Sequence, residues 1–188
     1  MKKQYVIRLA QMAMLAAISV ILVLLVHFPL IPTAGFLEYD MADVPILLGG
    51  MLYGTIPGLL ILLVVSLVQA FLLGGNGWYG LVMHMAASSV LVILVSALYR
   101  RKERFSHALL GMVLGTLGMA LVMVPMNLWL TPLYMGAPRE AVISLLIPAI
   151  IPFNLLKAGI NCVLTAILFK ALTPFLRKNA RLLGKSAQ

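Results

Sequence analysis

The chain has 188 residues, 63% of them from the A, V, I, L, M, F, W, Y and C set and 10% charged, with a mean hydropathy of +1.08. A soluble domain is about half apolar and about a quarter charged, so these figures exclude a soluble enzyme, a disordered tail and a nucleic-acid-binding domain. They leave a small, multi-pass protein of the cell membrane, whose net charge of +9 reports topology, because basic residues collect on the cytoplasmic side.

The N-terminal Met-Lys-Lys followed by the apolar run 9–26 resembles a signal peptide. Its length is near the roughly 20 residues that a span needs, and no small-residue cleavage site follows closely, so it reads as a retained first span. A polar stretch comes next, with Pro29, Pro32, Gly35, Glu38, Asp40 and Asp43. From Val44 to Tyr99 there is no Asp, Glu, Lys or Arg, and then the cluster Arg100, Arg101, Lys102 and Arg104 appears. Lys2, Lys3 and Arg8 place the N-terminus inside and the acidic stretch outside, so the uncharged run crosses an odd number of times. Three short spans fit it, divided at Gly54-Thr55-Ile56-Pro57-Gly58 and at Gly74-Gly75-Asn76-Gly77. The expected architecture is an all-α membrane protein forming one domain. Its six spans lie at about 9–26, 41–54, 57–73, 79–99, 107–130 and 152–172, with both termini cytoplasmic. Twelve of the 14 basic residues, including Arg177, Lys178, Arg181 and Lys185 of the tail, then lie at the inner side. Four of the five acids lie outside.

Lys157 departs from this pattern, because it falls inside the sixth span. A lysine there costs about 2.5–3.5 kcal/mol on insertion scales and marks a functional hypothesis. Pro152 suits the first helical turn, which puts Lys157 in the outer third of the membrane. Asn154 and Asn161 share its helix face at i−3 and i+4. Either Lys157 snorkels outward and the asparagines pair with neighbouring helices, or the three line a polar pocket open to the outside. Asn127, between Pro125 and Pro132 at similar depth, is a helix–helix hydrogen bonder or part of that pocket. Trp78 and Tyr79 follow the glycine turn and suit either an interfacial belt or a stacking surface for a flat ligand. Asp43 is placed to cap the second helix. His84 reads as a packed or hydrogen-bonded side chain with no second histidine at metal spacing, and no metal site is expected. Cys162 is the single cysteine, in an apolar run, so no internal disulfide or cysteine zinc site can form. Ala13-x-x-x-Ala17 and Gly50-x-x-x-Gly54 are small-residue faces for internal packing or for docking on another membrane protein. No nucleophile elbow, zinc-protease helix, Walker A loop or intramembrane aspartate pair occurs, so no enzyme activity and no resident cofactor is expected.

Four stretches carry a family resemblance: Ala13-x-x-x-Ala17, Glu38-Tyr39-Asp40-Met41-Ala42-Asp43-Val44-Pro45, Gly74-Gly75-Asn76-Gly77-Trp78-Tyr79-Gly80, and the segment Pro152 to Asn161. With the length and the six-span layout, the sequence resembles the substrate-binding S components of energy-coupling factor vitamin transporters, and among them the riboflavin-binding members. The resemblance implies capture of the vitamin on the outer side. It also implies docking on a module of one coupling membrane subunit and two ATPase subunits, with ATP hydrolysis confined to those partners. It implies that Asn127, Asn154 and Lys157 hydrogen-bond the flavin, that the stretch around Tyr39 and Met41 belongs to the pocket, and that Ala13 and Ala17 contact the coupling subunit. Trp78, Tyr79 and Asn161 enter the candidate site on the physical argument above. The alternatives are an S component for thiamin, pantothenate or another small molecule, a stand-alone facilitator, and an integral-membrane enzyme.

Overall fold

A computed structural model describes residues 2–74 and 76–178. Gly75 of the glycine turn and the tail residues Arg181 and Lys185 lie outside the described residues. In chain order the structure runs α1 (Lys2–Leu25), β1 (His27–Pro29), β2 (Glu38–Asp40), α2 (Asp43–Tyr53), α3 (Thr55–Leu72), α4 (Gly77–Lys102), α5 (Phe105–Met135), α6 (Arg139–Leu145) and α7 (Ile151–Lys178). Five helical stretches among the described residues are long and apolar enough to cross a membrane, the last combining α6 and α7.

The remaining helix, α2, has only 11 residues and rises about 16 Å at 1.5 Å per residue. Ten of its residues are buried, because α1, α3, α4 and α7 enclose it. Close approach comes from glycine. A Cβ on Gly58 of α3 would lie 2.8 Å from the Gly50 backbone and 2.9 Å from Val92. Gly50 therefore serves internal packing. Likewise a Cβ on Gly111 of α5 would meet the α4 backbone at Leu94 and Val95 at 2.8 Å. The Gly111, Gly115 and Gly118 positions face Leu94, Leu91 and Val90 in reverse order, so α4 and α5 run antiparallel.

Two ends follow. At one, the Arg8 guanidinium donates to the Tyr53 carbonyl, and Arg100 lies beside Gly54, whose φ of 112° links α2 to α3. At the other, the expected polar loop contains a small antiparallel hairpin with His27 opposite Asp40, Phe28 opposite Tyr39 and Pro29 opposite Glu38. His27 Nε2 and Glu38 Oε2, 2.9 Å apart, tie its outer face.

The approach to α7 has a physical cause of its own. Pro152 has no N–H to give to the turn before it, and its ring presses on the carbonyl four residues back, that of Pro148. The helix widens there into a π turn over Leu146–Ile150, closed by the Ile151 N–H on the Leu146 carbonyl. Pro152 sits in the first turn of α7 as expected.

Candidate functional site: a polar-ended cavity beneath the hairpin

A cavity of about 150 Å³ lies under the hairpin, between α3, α4, α5 and α7. Phe36, Leu37, Met83, Met119, Met123 and Phe153 supply apolar wall. Asp40, Ser66, Gln69, His84, Asn154 and Lys157 supply polar groups.

The cavity is organised around Asp40, which is 1% exposed. Its Oδ2 accepts from Lys157 Nζ at 2.8 Å and from Gln69 Nε2 at 3.2 Å, and its Oδ1 accepts from the Ala42 N–H at 3.0 Å. Burial alone would raise the Asp40 carboxyl. The Lys157 ammonium, with a smaller contribution from His84, outweighs burial and holds the group well below the usual carboxylate range. Lys157 is 9% exposed and therefore does not snorkel. It lines the cavity with Asn154, whose Nδ2 donates to the Ile150 carbonyl of the π turn.

Asn161 lies one turn deeper and holds the β2–α2 junction. Its Nδ2 donates to the Asp40 carbonyl and to Asp43 Oδ2, and its Oδ1 accepts from the Tyr39 hydroxyl at 2.9 Å. Burial is the main reason the Tyr39 hydroxyl has a raised pKa. From α1, the Ser19 hydroxyl donates to the Ala42 carbonyl. The expected capping role of Asp43 is corrected here. Ala42 occupies the cap position of α2, no side chain caps the helix, and Asp43 instead bonds Asn161 and faces His84 Nε2 at 3.8 Å. The physical reason is competition: a fully buried carboxylate needs a partner, and the Asn161 amide reaches it from α7. His84 is hydrogen-bonded as expected, with its Nδ1 3.1 Å from Ser66 Oγ.

The remaining candidates are spread around this centre. Met41 is partly buried and packs on the hairpin's apolar cluster with Tyr39. Asn127 is fully buried and engaged within its own helix, donating to the Met123 carbonyl and accepting from Thr131. It does not line the cavity, although Met123 beneath it does. Trp78 is 69% exposed and makes a T-shaped contact with Phe71, and the Tyr79 ring stands 5.9 Å from that of Tyr134; neither lines the cavity. Ala13 and Ala17 are both exposed and line an apolar groove between α1 and α3 at a distance from the cavity.

Sequence reasoning left Asp40 and Gln69 out of the candidate site. Asp40 was legible in principle, because a lysine inside a span calls for a carboxylate partner and the chain has only five acids. Gln69 had a weaker mark, as an amide within an otherwise apolar span.

The family model for the ECF transporter, substrate-specific component, matches residues 7–169. The riboflavin transporter RibU of Streptococcus thermophilus is 32% identical over 180 residues, covering 91% of this chain and 85% of that one. The riboflavin transporter FmnP of Bacillus subtilis is 24% identical over 180 residues, covering 91% of this chain and 94% of that one. A solved structure, described as that of the S component of a bacterial ECF transporter, superimposes with a TM-score of 0.78 at 26% identity. It covers 90% of this chain and 96% of that one. This multi-pass protein of the cell membrane therefore belongs to the substrate-specific components of ECF transporters.

Proposed function

We propose that the chain is the riboflavin-binding subunit of an ECF importer, taking the vitamin into the cavity beneath the hairpin. The observation that carries this reading is the cavity's composition: aromatic and methionine walls beside a buried ammonium and amides. An isoalloxazine ring is flat and apolar on its faces and polar along its edges. Phe36, Phe153 and the methionines suit the faces, while Lys157 and Asn154 donate to ring carbonyls. The names of the relatives support the same ligand. Sites for ligands of this size commonly measure about 300–1,000 Å³. The 150 Å³ cavity therefore seats a flavin only after the hairpin and the turn before α7 draw apart.

The same reading includes six crossings with both termini cytoplasmic. Five long helices are supplemented by α2, which need not match the hydrocarbon thickness because helices rather than lipid surround it. Arg8, Gly54 and Arg100 gather at one end, which supports the parity, and the basic cluster there supports its inner location. Ala13 and Ala17 present the small-residue face on which a coupling membrane subunit docks, and two ATPase subunits supply the energy. No ATP hydrolysis is expected of this chain alone.

The test is the absorption spectrum of the purified protein. A flavin spectrum, or its appearance on adding riboflavin, is expected. A colourless protein that takes up no riboflavin overturns the ligand and turns attention to thiamin or pantothenate.

A further inference from the structure

Among the described residues, four buried polar atoms have no hydrogen-bond partner: Asp43 Oδ1, His84 Nε2, Gln69 Oε1 and Ser88 Oγ. The first two face each other at 3.8 Å, and a small shift joins them. Ser88 does not line the cavity. Gln69 does, and nothing among the described residues serves its carbonyl oxygen. Its orientation is set by chemistry. A carboxylate only accepts, so the atom facing Asp40 Oδ2 at 3.2 Å is the amide nitrogen. That bond leaves Oε1 as a fixed, lone acceptor. Buried acceptors are rarely left unpaired, because an unmade hydrogen bond costs the full desolvation of the group.

We propose that Gln69 determines specificity, its Oε1 accepting a hydrogen bond from an N–H or O–H of the bound flavin. This rests on the flavin reading above. Lys157 and Gln69 are anchored to the same oxygen of Asp40, so the carboxylate presents a donor and an acceptor together at the cavity. The ammonium serves the ligand's carbonyl oxygens, which Gln69 Oε1 repels. The amide oxygen serves a donor, which the ammonium repels. A flavin carries donors of two kinds, the imide N–H of the ring and the hydroxyls of the ribityl chain.

The experiment measures equilibrium binding of riboflavin, riboflavin methylated on its imide nitrogen, and lumiflavin, which lacks the ribityl chain. The full-length protein is compared with Gln69→Met, which keeps the length of the side chain and removes both polar atoms. Gln69→Met is expected to weaken riboflavin binding by about 10- to 100-fold. It is expected to leave one analogue unaffected. An unaffected methylated analogue identifies the ring N–H as the donor, and an unaffected lumiflavin identifies a hydroxyl. Unchanged riboflavin affinity overturns the proposal. So does an equal loss for all three ligands, which means that Gln69 acts only by steadying Asp40. If Gln69→Met does not fold, Gln69→Leu takes its place, with the same three ligands and the same readings. In the unaltered protein, equal affinity for all three ligands also overturns the proposal. Failure of the flavin reading looks different, because the unaltered protein then binds none of them.

Discussion

Replacing Asp40 with alanine removes the counterion of a buried lysine and three hydrogen bonds at once. All three bonds end on an ionised carboxylate, a class worth about 1.5–3 kcal/mol each, and the one from Lys157 joins two ions. Removing one partner of a buried ion pair costs roughly 3–5 kcal/mol, and with two further bonds lost the expected cost lies at the upper end of that range. Lys157→Met strands the 1% exposed Asp40 carboxylate and is expected to cost about 2–4 kcal/mol. The double variant strands no charge and forfeits only the bonds from Gln69 and the Ala42 N–H, so its loss is expected to fall about 2 kcal/mol or more short of the sum. The assay is equilibrium unfolding of the three variants in mixed micelles. Additivity within about 0.5 kcal/mol refutes the reasoning, because it means that the two charges do not depend on each other.

Lys157→Met is expected to raise the riboflavin dissociation constant by about 5- to 150-fold, equivalent to 1–3 kcal/mol, with titration of purified protein as the check. Ala13→Trp combined with Ala17→Trp is expected to abolish uptake by cells carrying the ATPase module while leaving riboflavin binding unchanged; surviving uptake means that the groove is not the docking face. Gly111→Ala is expected to destabilise by about 1–3 kcal/mol by overpacking, whereas Gly159→Ala, with nothing within 4 Å, is expected to be neutral or slightly stabilising in the same unfolding assay. Because the Asp40 carboxyl is held below its ordinary value near 3.9, its contribution is complete above that pH and is lost on acidification. The stability advantage over Asp40→Asn is thus expected to be flat above about pH 5 and to shrink below about pH 4.

The long helices were legible because apolar length and the positions of arginine and lysine report them directly. The expected 79–99 and 107–130 spans sit within α4 and α5, and Pro152 falls in the first turn of α7. The hairpin was not legible. Three-residue strands carry too little alternation to register, and Pro29 argues against a strand unless it lies at an edge, where it does lie. The cost of a lysine in a span marks Lys157, but its partner lies in a loop, where Asp40 counts only as a topology marker. Asp43 was read locally as a cap, and the competing bond came from Asn161, 118 residues away. Asn127 stood out for the same reason as Asn154. Each donates to the carbonyl four residues back, and only the tertiary arrangement puts Asn154 at the cavity and leaves Asn127 outside it.

The brevity of α2 has a consequence for how this scaffold varies. Its roughly 16 Å stands beside neighbours of about 27 Å in α3 and 39 Å in α4. The centre of the bundle therefore has a built-in shortfall in height, a bowl whose floor is a helix end and whose rim is set by the longer helices. Hairpin residues and a few side chains fill that bowl only partly. Its contents can change in size and polarity without moving a single long helix. A protein built this way can exchange one cargo for another through local edits above α2, while the faces it offers to lipid and to its transport machinery stay as they are.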